Sequence, residues 1–210
     1  MIENTNKKIK AVVFDFGGVI ELYEVKNINQ SIADLLGVSL DEFRKVYFKY
    51  NHLSNVENLS WEDMIIKVVS NFNTSKEIET QVREMVRAFQ SKRIINTELL
   101  ETFPLLQRLG LRVGILSNNT TELRKYLHEK GIERLVDVVV ISAEIRFQKP
   151  HKEAFEVLFE KLHLNPGEVV FVDDAVKSLE KSAEIGYVPI LFKNNDQLKT
   201  DLKNIGISLF

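Results

Sequence analysis

Five short apolar runs, rich in β-branched residues, are spread along the chain, and stretches of helical periodicity separate most of them. They read KAVVF, VGIL, VVVIS, VVFV and VPILF. Each run is continuous rather than alternating, as expected for strands buried on both faces of a parallel sheet. Three helix-like segments end in a glycine just before such a run, at Gly110, Gly131 and Gly186, which suits the left-handed residue that closes a helix. This order predicts an α/β fold whose core is a doubly wound, Rossmann-like parallel sheet.

The interval from residue 21 to residue 95 has a different pattern, with several amphipathic helices and no convincing strand. Apolar residues recur there at helical spacing in three stripes: Phe43, Val46, Tyr47 and Tyr50; Trp61, Met64, Ile65 and Val68; and Ile78, Val82, Met85, Val86 and Phe89. We therefore predict a helical cap over residues 21–95, inserted into a core formed by residues 1–20 and 96–210. The aromatic side chains, Tyr47 and Trp61 included, are predicted to pack within the cap and are not taken as evidence of a ligand.

Composition and charge narrow the function classes. The 210 residues are 44% hydrophobic and 28% charged, as in ordinary folded proteins. With 28 Lys and Arg against 30 Asp and Glu, the net charge of -2 provides no basic field, so we expect neither nucleic acid nor a membrane as a partner. The absence of Cys excludes disulfides, Cys nucleophiles, thiolate zinc sites and iron–sulfur clusters. Because the chain has neither a long apolar stretch nor an apolar signal segment, we expect a cytoplasmic location.

Polar side chains follow four of the predicted strands. Asp15 ends the first run, Ser117, Asn118 and Asn119 end the second, Lys149 follows the third within a few residues, and Asp173 and Asp174 end the fourth. In open parallel sheets, ligands bind beyond the carboxyl ends of the strands. Three carboxylates, a hydroxyl and an ammonium group are therefore predicted to meet at one edge of the sheet.

The chemistry of such a cluster points to phosphoryl transfer. Three neighbouring carboxylates stay ionised together only if a cation lies between them. Mg²⁺ suits them best, because it takes carboxylates, waters and a phosphate oxygen, whereas zinc is disfavoured without Cys or a His cluster. Lys149 and Ser117 would surround the oxygens of a phosphoryl group, and one carboxylate would be left to attack phosphorus as a nucleophile.

These residues carry a resemblance to a known family. The sequence resembles phosphatase-like members of the haloacid dehalogenase (HAD) superfamily with a helical cap after the first strand, through VVFDFGGVI, GILSNN, the Lys of QKPHKEAF, and VVFVDDAVKSLEKSAEIGY, in the family's order. The resemblance implies a Mg²⁺-dependent phosphatase acting on a small phosphorylated metabolite. It implies two catalytic residues, Asp15 as the nucleophile and Lys149, and three phosphate-binding residues, Ser117, Asn118 and again Lys149. It also implies four metal ligands: Asp15, Gly17 through its backbone carbonyl, Asp173, and Asp174 directly or through water.

One position departs from the family's pattern. Phosphatases of this family usually carry a second Asp two residues after the nucleophile, where it donates a proton to the leaving group, and this chain has Gly17 there. Loss of a positioned acid typically costs 10²–10⁴-fold in rate. A sugar-1-phosphate would tolerate this loss because its anomeric oxygen leaves readily, and Glu21 and His52 are conceivable substitute acids.

Two other functions stay open at this stage. A haloacid dehalogenase would use Asp15 to attack carbon without a metal, but it would have no use for Asp173 and Asp174 nearby. A regulatory or binding protein would explain Gly17, although it would not explain why Asp15, Ser117, Lys149 and Asp173 all remain. Phosphoacceptor receiver domains have a different motif order and no helical insertion. Contacts to the leaving group are predicted from the loops at residues 22–28 and 50–59, while the substrate and the oligomeric state are undetermined.

Overall fold

A five-stranded parallel sheet forms the centre of the molecule. The computed structural model describes residues 8–22 and 28–209. Within these residues the strands are β1 (Ala11–Phe14), β2 (Glu21–Leu22), β3 (Ile94–Ile95), β4 (Arg112–Ser117), β5 (Val138–Ile141), β6 (Val169–Asp173) and β7 (Val188–Leu191). The five long strands coincide with the five apolar runs, and the α/β fold class is confirmed.

The strand order places β1 at the middle of the sheet. The order is β5-β4-β1-β6-β7, with every neighbouring pair parallel. The chain first builds outward from β1 through β4 and β5, and then returns to the other side of β1 with β6 and β7. The carboxyl end of β1 is therefore the point where the winding reverses, which is where open α/β sheets bind their ligands.

Helices cover both faces of this sheet. The helices are α1 (Ile28–Leu36), α2 (Leu40–Asn55), α3 (Trp61–Val69), α4 (Lys76–Ser91), α5 (Thr97–Arg108), α6 (Glu122–Glu129), α7 (Ser142–Ile145), α8 (Lys152–Leu162), α9 (Val176–Leu179), α10 (Ser182–Ile185) and α11 (Asn195–Asn204). Along β1, Val12 and Phe14 pack into the cluster with α5, α6 and α11, whereas Ala11 and Val13 pack into the cluster with α8. Burial on both faces explains why the strands are continuously apolar.

The helices α1 to α4 form a second packed body, here called the helical unit. Its core contains Phe43, Met64, Ile65, Val68, Val82 and Val86, so the three sequence stripes face one another. Ser39 and Ser60 accept hydrogen bonds from backbone N–H groups of the first turns of α2 and α3, which fixes where these helices begin.

The prediction that residues 21–95 contain no strand is wrong at both ends of that interval. β2 and β3 pair antiparallel where the chain enters and leaves the helical unit, with Glu21 opposite Ile95 and Leu22 opposite Ile94. Two-residue strands are too short to produce a periodic pattern in the sequence, so they escape detection.

Two further expectations concern the loops predicted to contact the leaving group and the lack of a membrane segment. Of the segment at residues 22–28, residues 23–27 lie outside the described residues, as do residues 1–7. The segment at residues 50–59 is the end of α2 and the turn after it. In the described part of the chain, no helix is long and apolar enough to cross a membrane.

Candidate active site

Asp15 and Asp173 lie side by side at the carboxyl end of the sheet. β1 and β6 are paired in register from Ala11 with Val169 to Phe14 with Val172, so the next residue on each strand is an aspartate. The backbone N–H of Asp15 continues the ladder by donating to Val172 O at 2.8 Å. The Asp173 carboxylate accepts a hydrogen bond from the backbone N–H of Ala175 at 2.8 Å, which orients it at the strand end. The sheet itself thus brings the two carboxylates together.

The ammonium group of Lys149 lies between these two carboxylates. Its Nζ is 3.0 Å from Asp15 Oδ1 and 2.6 Å from Asp173 Oδ2. The side chains of Lys149 and Asp173 are 1% and 0% exposed, and that of Asp15 is 15% exposed. A buried ammonium is stable only with such partners, and here one cation is shared by two anions.

The charges of this cluster move the pKa values of its members. Burial raises the pKa of Asp15 to about 7, because the positive charge of Lys149 only partly offsets the loss of solvent and the charge of Asp173 adds to the rise. Burial alone would lower the pKa of Lys149, but the charges of Asp15 and Asp173 outweigh it, so this pKa is raised. The cluster as described therefore has more negative charge than Lys149 can neutralise.

A third carboxylate, that of Asp174, completes a group that fits a metal ion. Asp15, Asp173 and Asp174 each offer an oxygen, and these oxygens lie within 4.8 Å of one another. Burial and the charge of Asp173 both raise the pKa of Asp174. Hard oxygen donors that repel one another are the donor set that Mg²⁺ prefers. The residues present thus fit the predicted ion.

Gly18 makes room for the Asp174 carboxylate. Gly18 has a φ of +77°, and a Cβ atom added to it would lie less than 3.0 Å from the Cγ and both oxygens of Asp174. Any larger residue would push the carboxylate away from its present place. Gly17, in the same turn, forms an isolated β-bridge with Glu21. The proposed metal contact of its backbone carbonyl stays a prediction.

Ser117 is the last residue of β4, which pairs with β1 on the side opposite β6, and Asn118 follows it. The Asn118 side chain donates to the backbone O of Lys149 at 3.0 Å and accepts from the backbone N–H of Lys149 at 2.8 Å. It therefore holds the main chain from which the Lys149 side chain reaches into the cluster. Ser117 ends β4 and is 2% exposed. The predicted phosphate contacts of both residues stay predictions.

A cavity of about 900 Å³ opens between the helical unit and the core, and we call it the central cavity. The core contributes Asn118, Asn119, Thr120, Tyr126 and Asp174 to its lining, and the helical unit contributes Tyr47, Ser54, Asn55, Trp61 and Phe89. Tyr47 and Trp61 pack against the core of the helical unit, as predicted, but they also line this space. One candidate metal ligand, Asp174, and the helical unit thus share this cavity.

The two conceivable substitute acids have different surroundings. Glu21 lines the central cavity, and its side chain forms an ion pair with Arg93, Nε to Oε1, at 3.1 Å. Burial raises the pKa of Glu21, and Arg93 opposes that rise. His52 lies on α2 next to Glu57, at 3.6 Å, with 47% of its side chain exposed. Among the residues that the structure describes, those lining the central cavity do not include His52.

Sequence reasoning missed Arg93 and Tyr126. Both line the central cavity, and the Arg93 guanidinium carbon lies 4.6 Å from the centre of the Tyr126 ring. Arg93 directly precedes β3, so recognition of the β2–β3 pair would have indicated it. Tyr126 lies on α6, the first helix after the Ser117–Asn118–Asn119 segment, and this closeness to predicted site residues could have indicated it.

Comparison with known proteins agrees with the fold and identifies the family. The model of the haloacid dehalogenase-like hydrolase family matches residues 9–180. The chain is 26% identical to the phosphatase MT3486 of Mycobacterium tuberculosis over 96% of this chain and 97% of that protein. It is 31% identical to the pyrophosphatase PpaX of Bacillus pumilus over 79% of this chain and 74% of that protein.

Solved structures share the fold at lower identity. A HAD phosphatase from Thermococcus onnurineus has a TM-score of 0.60 at 21% identity and covers 96% of this chain and 100% of that one. A dehalogenase with an intermediate complex has a TM-score of 0.64 at 17% identity, covering 90% of this chain and 88% of that one. With most of its length matched by the family model, this chain belongs to the haloacid dehalogenase-like hydrolases.

Proposed function

We propose that this hydrolase is a Mg²⁺-dependent phosphomonoesterase that acts on a small phosphorylated metabolite with Asp15 as its nucleophile. The observation that carries the proposal is the cluster of Asp15, Asp173 and Asp174 around Lys149 at the edge of the sheet. Phosphatases among the curated relatives support the same reaction class.

The proposal gives each strand-end residue a role. Asp15, Asp173 and Asp174 would hold Mg²⁺, with the backbone carbonyl of Gly17 as a further ligand. When bound, the ion neutralises these carboxylates and withdraws charge from the phosphoryl oxygens. The Lys149 ammonium and the Ser117 hydroxyl donate hydrogen bonds to the phosphoryl oxygens, and Asn118 keeps Lys149 in place.

The reaction proceeds in two displacements. A carboxylate oxygen of Asp15 forms a bond to phosphorus while the bond from phosphorus to the ester oxygen breaks, and the released alkoxide takes a proton from solvent. A water molecule then attacks phosphorus, loses its proton to solvent, and releases phosphate with Asp15 restored. Gly17 has no side chain that could supply the first proton. We therefore expect the rate to depend strongly on how readily the leaving oxygen departs.

Dehalogenation is the alternative that a specific observation favours. The chain has Gly17 where the phosphatases carry the proton-donating Asp, and a solved dehalogenase has the same fold with a TM-score of 0.64. In a metal-free site, however, Asp173 and Asp174 would place further negative charge beside a nucleophile that must attract an organic anion. The acidic cluster therefore favours the phosphatase over the dehalogenase.

The test is phosphate release from a panel of phosphomonoesters, with Mg²⁺ and with a chelator. The panel includes an activated aryl phosphate and sugar phosphates, and a 2-haloacid is assayed in parallel for halide release. Asp15→Asn is compared with Asp196→Asn, which changes a carboxylate that is 95% exposed. We expect Mg²⁺-dependent turnover that Asp15→Asn abolishes and Asp196→Asn retains. Halide release without Mg²⁺ would establish dehalogenation instead, and the absence of both reactions would favour a regulatory protein.

A further inference from the structure

Glu21 and Arg93 meet where the chain passes between the core and the helical unit. Glu21 belongs to β2, and Arg93 directly precedes β3, its antiparallel partner. The pairing of these strands holds the two side chains together, with Arg93 Nε 3.1 Å from Glu21 Oε1. The side chains of Arg93 and Glu21 are 25% and 12% exposed, and both line the central cavity. The pair is therefore a fixed, half-buried polar feature of the cavity wall.

A chain of contacts connects this pair to the nucleophile. The guanidinium of Arg93 lies over the Tyr126 ring at 4.6 Å, and the Tyr126 ring packs edge-on against Phe16, with ring centres 6.0 Å apart. Phe16 directly follows Asp15, and its backbone N–H donates to Asp15 Oδ1 at 2.6 Å. The Tyr126 ring thus lies between Arg93 and Phe16, the residue next to Asp15. Glu21, Arg93 and Asp174 line the same central cavity, so an alcohol held in that cavity can contact the pair.

The pair has hydrogen-bonding capacity on both sides. The ion pair joins one guanidinium nitrogen to one carboxylate oxygen. A guanidinium has five N–H donors, and a carboxylate has about four acceptor positions. The pair can therefore present a donor and an acceptor side by side, which matches two neighbouring hydroxyl groups of a sugar or polyol: one donates to Glu21 and the other accepts from Arg93.

The charges of the cavity disfavour a second anion on the substrate. Among the described lining residues, the cations are Arg93 and Lys125, and the carboxylates are Glu21, Glu122, Glu129 and Asp174. Arg93 pairs with Glu21, and Lys125 pairs with Glu129 at 3.8 Å. A second phosphate or a carboxylate on the leaving group would have to compete with these anions for their cations.

We propose that Glu21 and Arg93 bind the leaving group of the substrate and select a neutral, polyhydroxylated alcohol, so that the substrate is a sugar or polyol monophosphate. This inference rests on the proposed phosphatase function. The hydroxyl groups replace water around the ion pair, and the apolar faces of Tyr126, Trp61 and Phe89 line the remaining space.

The first test compares substrates that differ in one group. We expect the parent protein to hydrolyse a hexose monophosphate with a kcat/KM at least about tenfold higher than its bisphosphate and than n-hexyl phosphate, which lacks the hydroxyl groups. Higher activity on the bisphosphate or on hexyl phosphate would overturn the inference while leaving the phosphatase function intact. Absence of turnover on every ester, an aryl phosphate included, would overturn both.

The second test uses variants of the pair. Glu21→Gln should lower kcat/KM for the hexose monophosphate about tenfold. It should also narrow the difference in kcat/KM between the monophosphate and the bisphosphate, because the cavity loses a negative charge. Arg93→Met should lower kcat/KM for the hexose monophosphate about 10–100-fold, and Arg93→Lys should retain part of the activity that Arg93→Met loses. The control is Arg87→Met, which removes an arginine that also pairs with a glutamate in the helical unit but is 67% exposed.

The readout is the ratio of kcat/KM values for the hexose monophosphate and n-hexyl phosphate, whose leaving oxygens need the same protonation, measured with the melting temperature of each variant. A structural defect lowers both activities together and leaves the ratio unchanged. We expect the ratio to fall at least about fivefold in Glu21→Gln and in Arg93→Met, and to stay constant in Arg87→Met. An unchanged ratio in folded Glu21→Gln and Arg93→Met would overturn the assignment.

Discussion

Replacement of Gly18 by alanine tests the geometry of the candidate metal site directly. The new Cβ would lie less than 3.0 Å from three atoms of the Asp174 carboxylate, so Asp174 must rotate away from Asp15 and Asp173. The φ of +77° adds a backbone cost of about 1–2 kcal/mol for any residue with a Cβ. We expect the variant to fold, and the Mg²⁺ concentration for half-maximal turnover of an aryl phosphate to rise about 10–100-fold.

Gly110→Ala is the matched control for this variant. Gly110 has a φ of +80°, and nothing lies within 4 Å of a Cβ added there. Both variants should lose about 1–2 kcal/mol of unfolding free energy, measured by urea denaturation. Only Gly18→Ala should change the Mg²⁺ dependence, and Mn²⁺ binding followed by electron paramagnetic resonance should weaken in the same variant. Equal Mg²⁺ dependence in the two variants would refute the assignment of Asp174 to the metal.

Three further predictions follow from the contacts of Lys149 and Asp15. Lys149→Met leaves two buried carboxylates without their cation, so we expect a loss of at least about 10²-fold in kcat for the aryl phosphate and of about 3 kcal/mol in unfolding free energy without Mg²⁺. Asn118→Ala removes both hydrogen bonds to the Lys149 main chain and should lower kcat/KM about tenfold, with a small shift in melting temperature. The pKa of Asp15 is raised from 3.8 to about 7, so the folded state retains a proton that the unfolded state loses as the pH rises through this window. The unfolding free energy of the metal-free protein, taken relative to that of Asp15→Asn, should therefore fall by up to about 4 kcal/mol from acid to neutral pH, and saturating Mg²⁺ should abolish this relative decline. Urea titrations of both proteins across the pH range would measure it, and a difference that grows with pH in the chelated proteins would contradict the assignment.

The strand-end residues were predictable because a parallel sheet converts sequence position into spatial position. Asp15, Ser117 and Asp173 each end a continuous apolar run, and the ends of parallel strands lie at one edge. The register of β1 with β6 then makes Asp15 and Asp173 neighbours, whereas the apolar runs alone implied only that both residues lie at this edge. Lys149 lies in a loop, and its position follows from the reciprocal hydrogen bonds with Asn118, which no sequence pattern encodes.

The packing between the helical unit and the core was not predictable in the same way. Tyr47 and Trp61 satisfy helical periodicity, which indicates only that they face the interior of the helical unit. Their additional exposure to the central cavity depends on how that unit lies against α6 and the β4 end, and this arrangement depends on side-chain contacts far apart in sequence. The β2–β3 pair, which determines where the unit joins the core, has too few residues to show a period.

The residues proposed to perform the chemistry and those proposed to recognise the leaving group lie on different sheets. The chemical groups are fixed by the sheet, because Asp15 and Asp173 end adjacent hydrogen-bonded strands. Glu21 and Arg93 are fixed by a separate two-stranded sheet, whereas Tyr47 and Trp61 lie on α2 and α3 of the helical unit. Substitutions on the helices should therefore change how tightly the cavity closes and excludes water. Substitutions at residues 21 and 93 should instead change which alcohol is accepted, while the phosphoryl group continues to meet Asp15 in the same geometry.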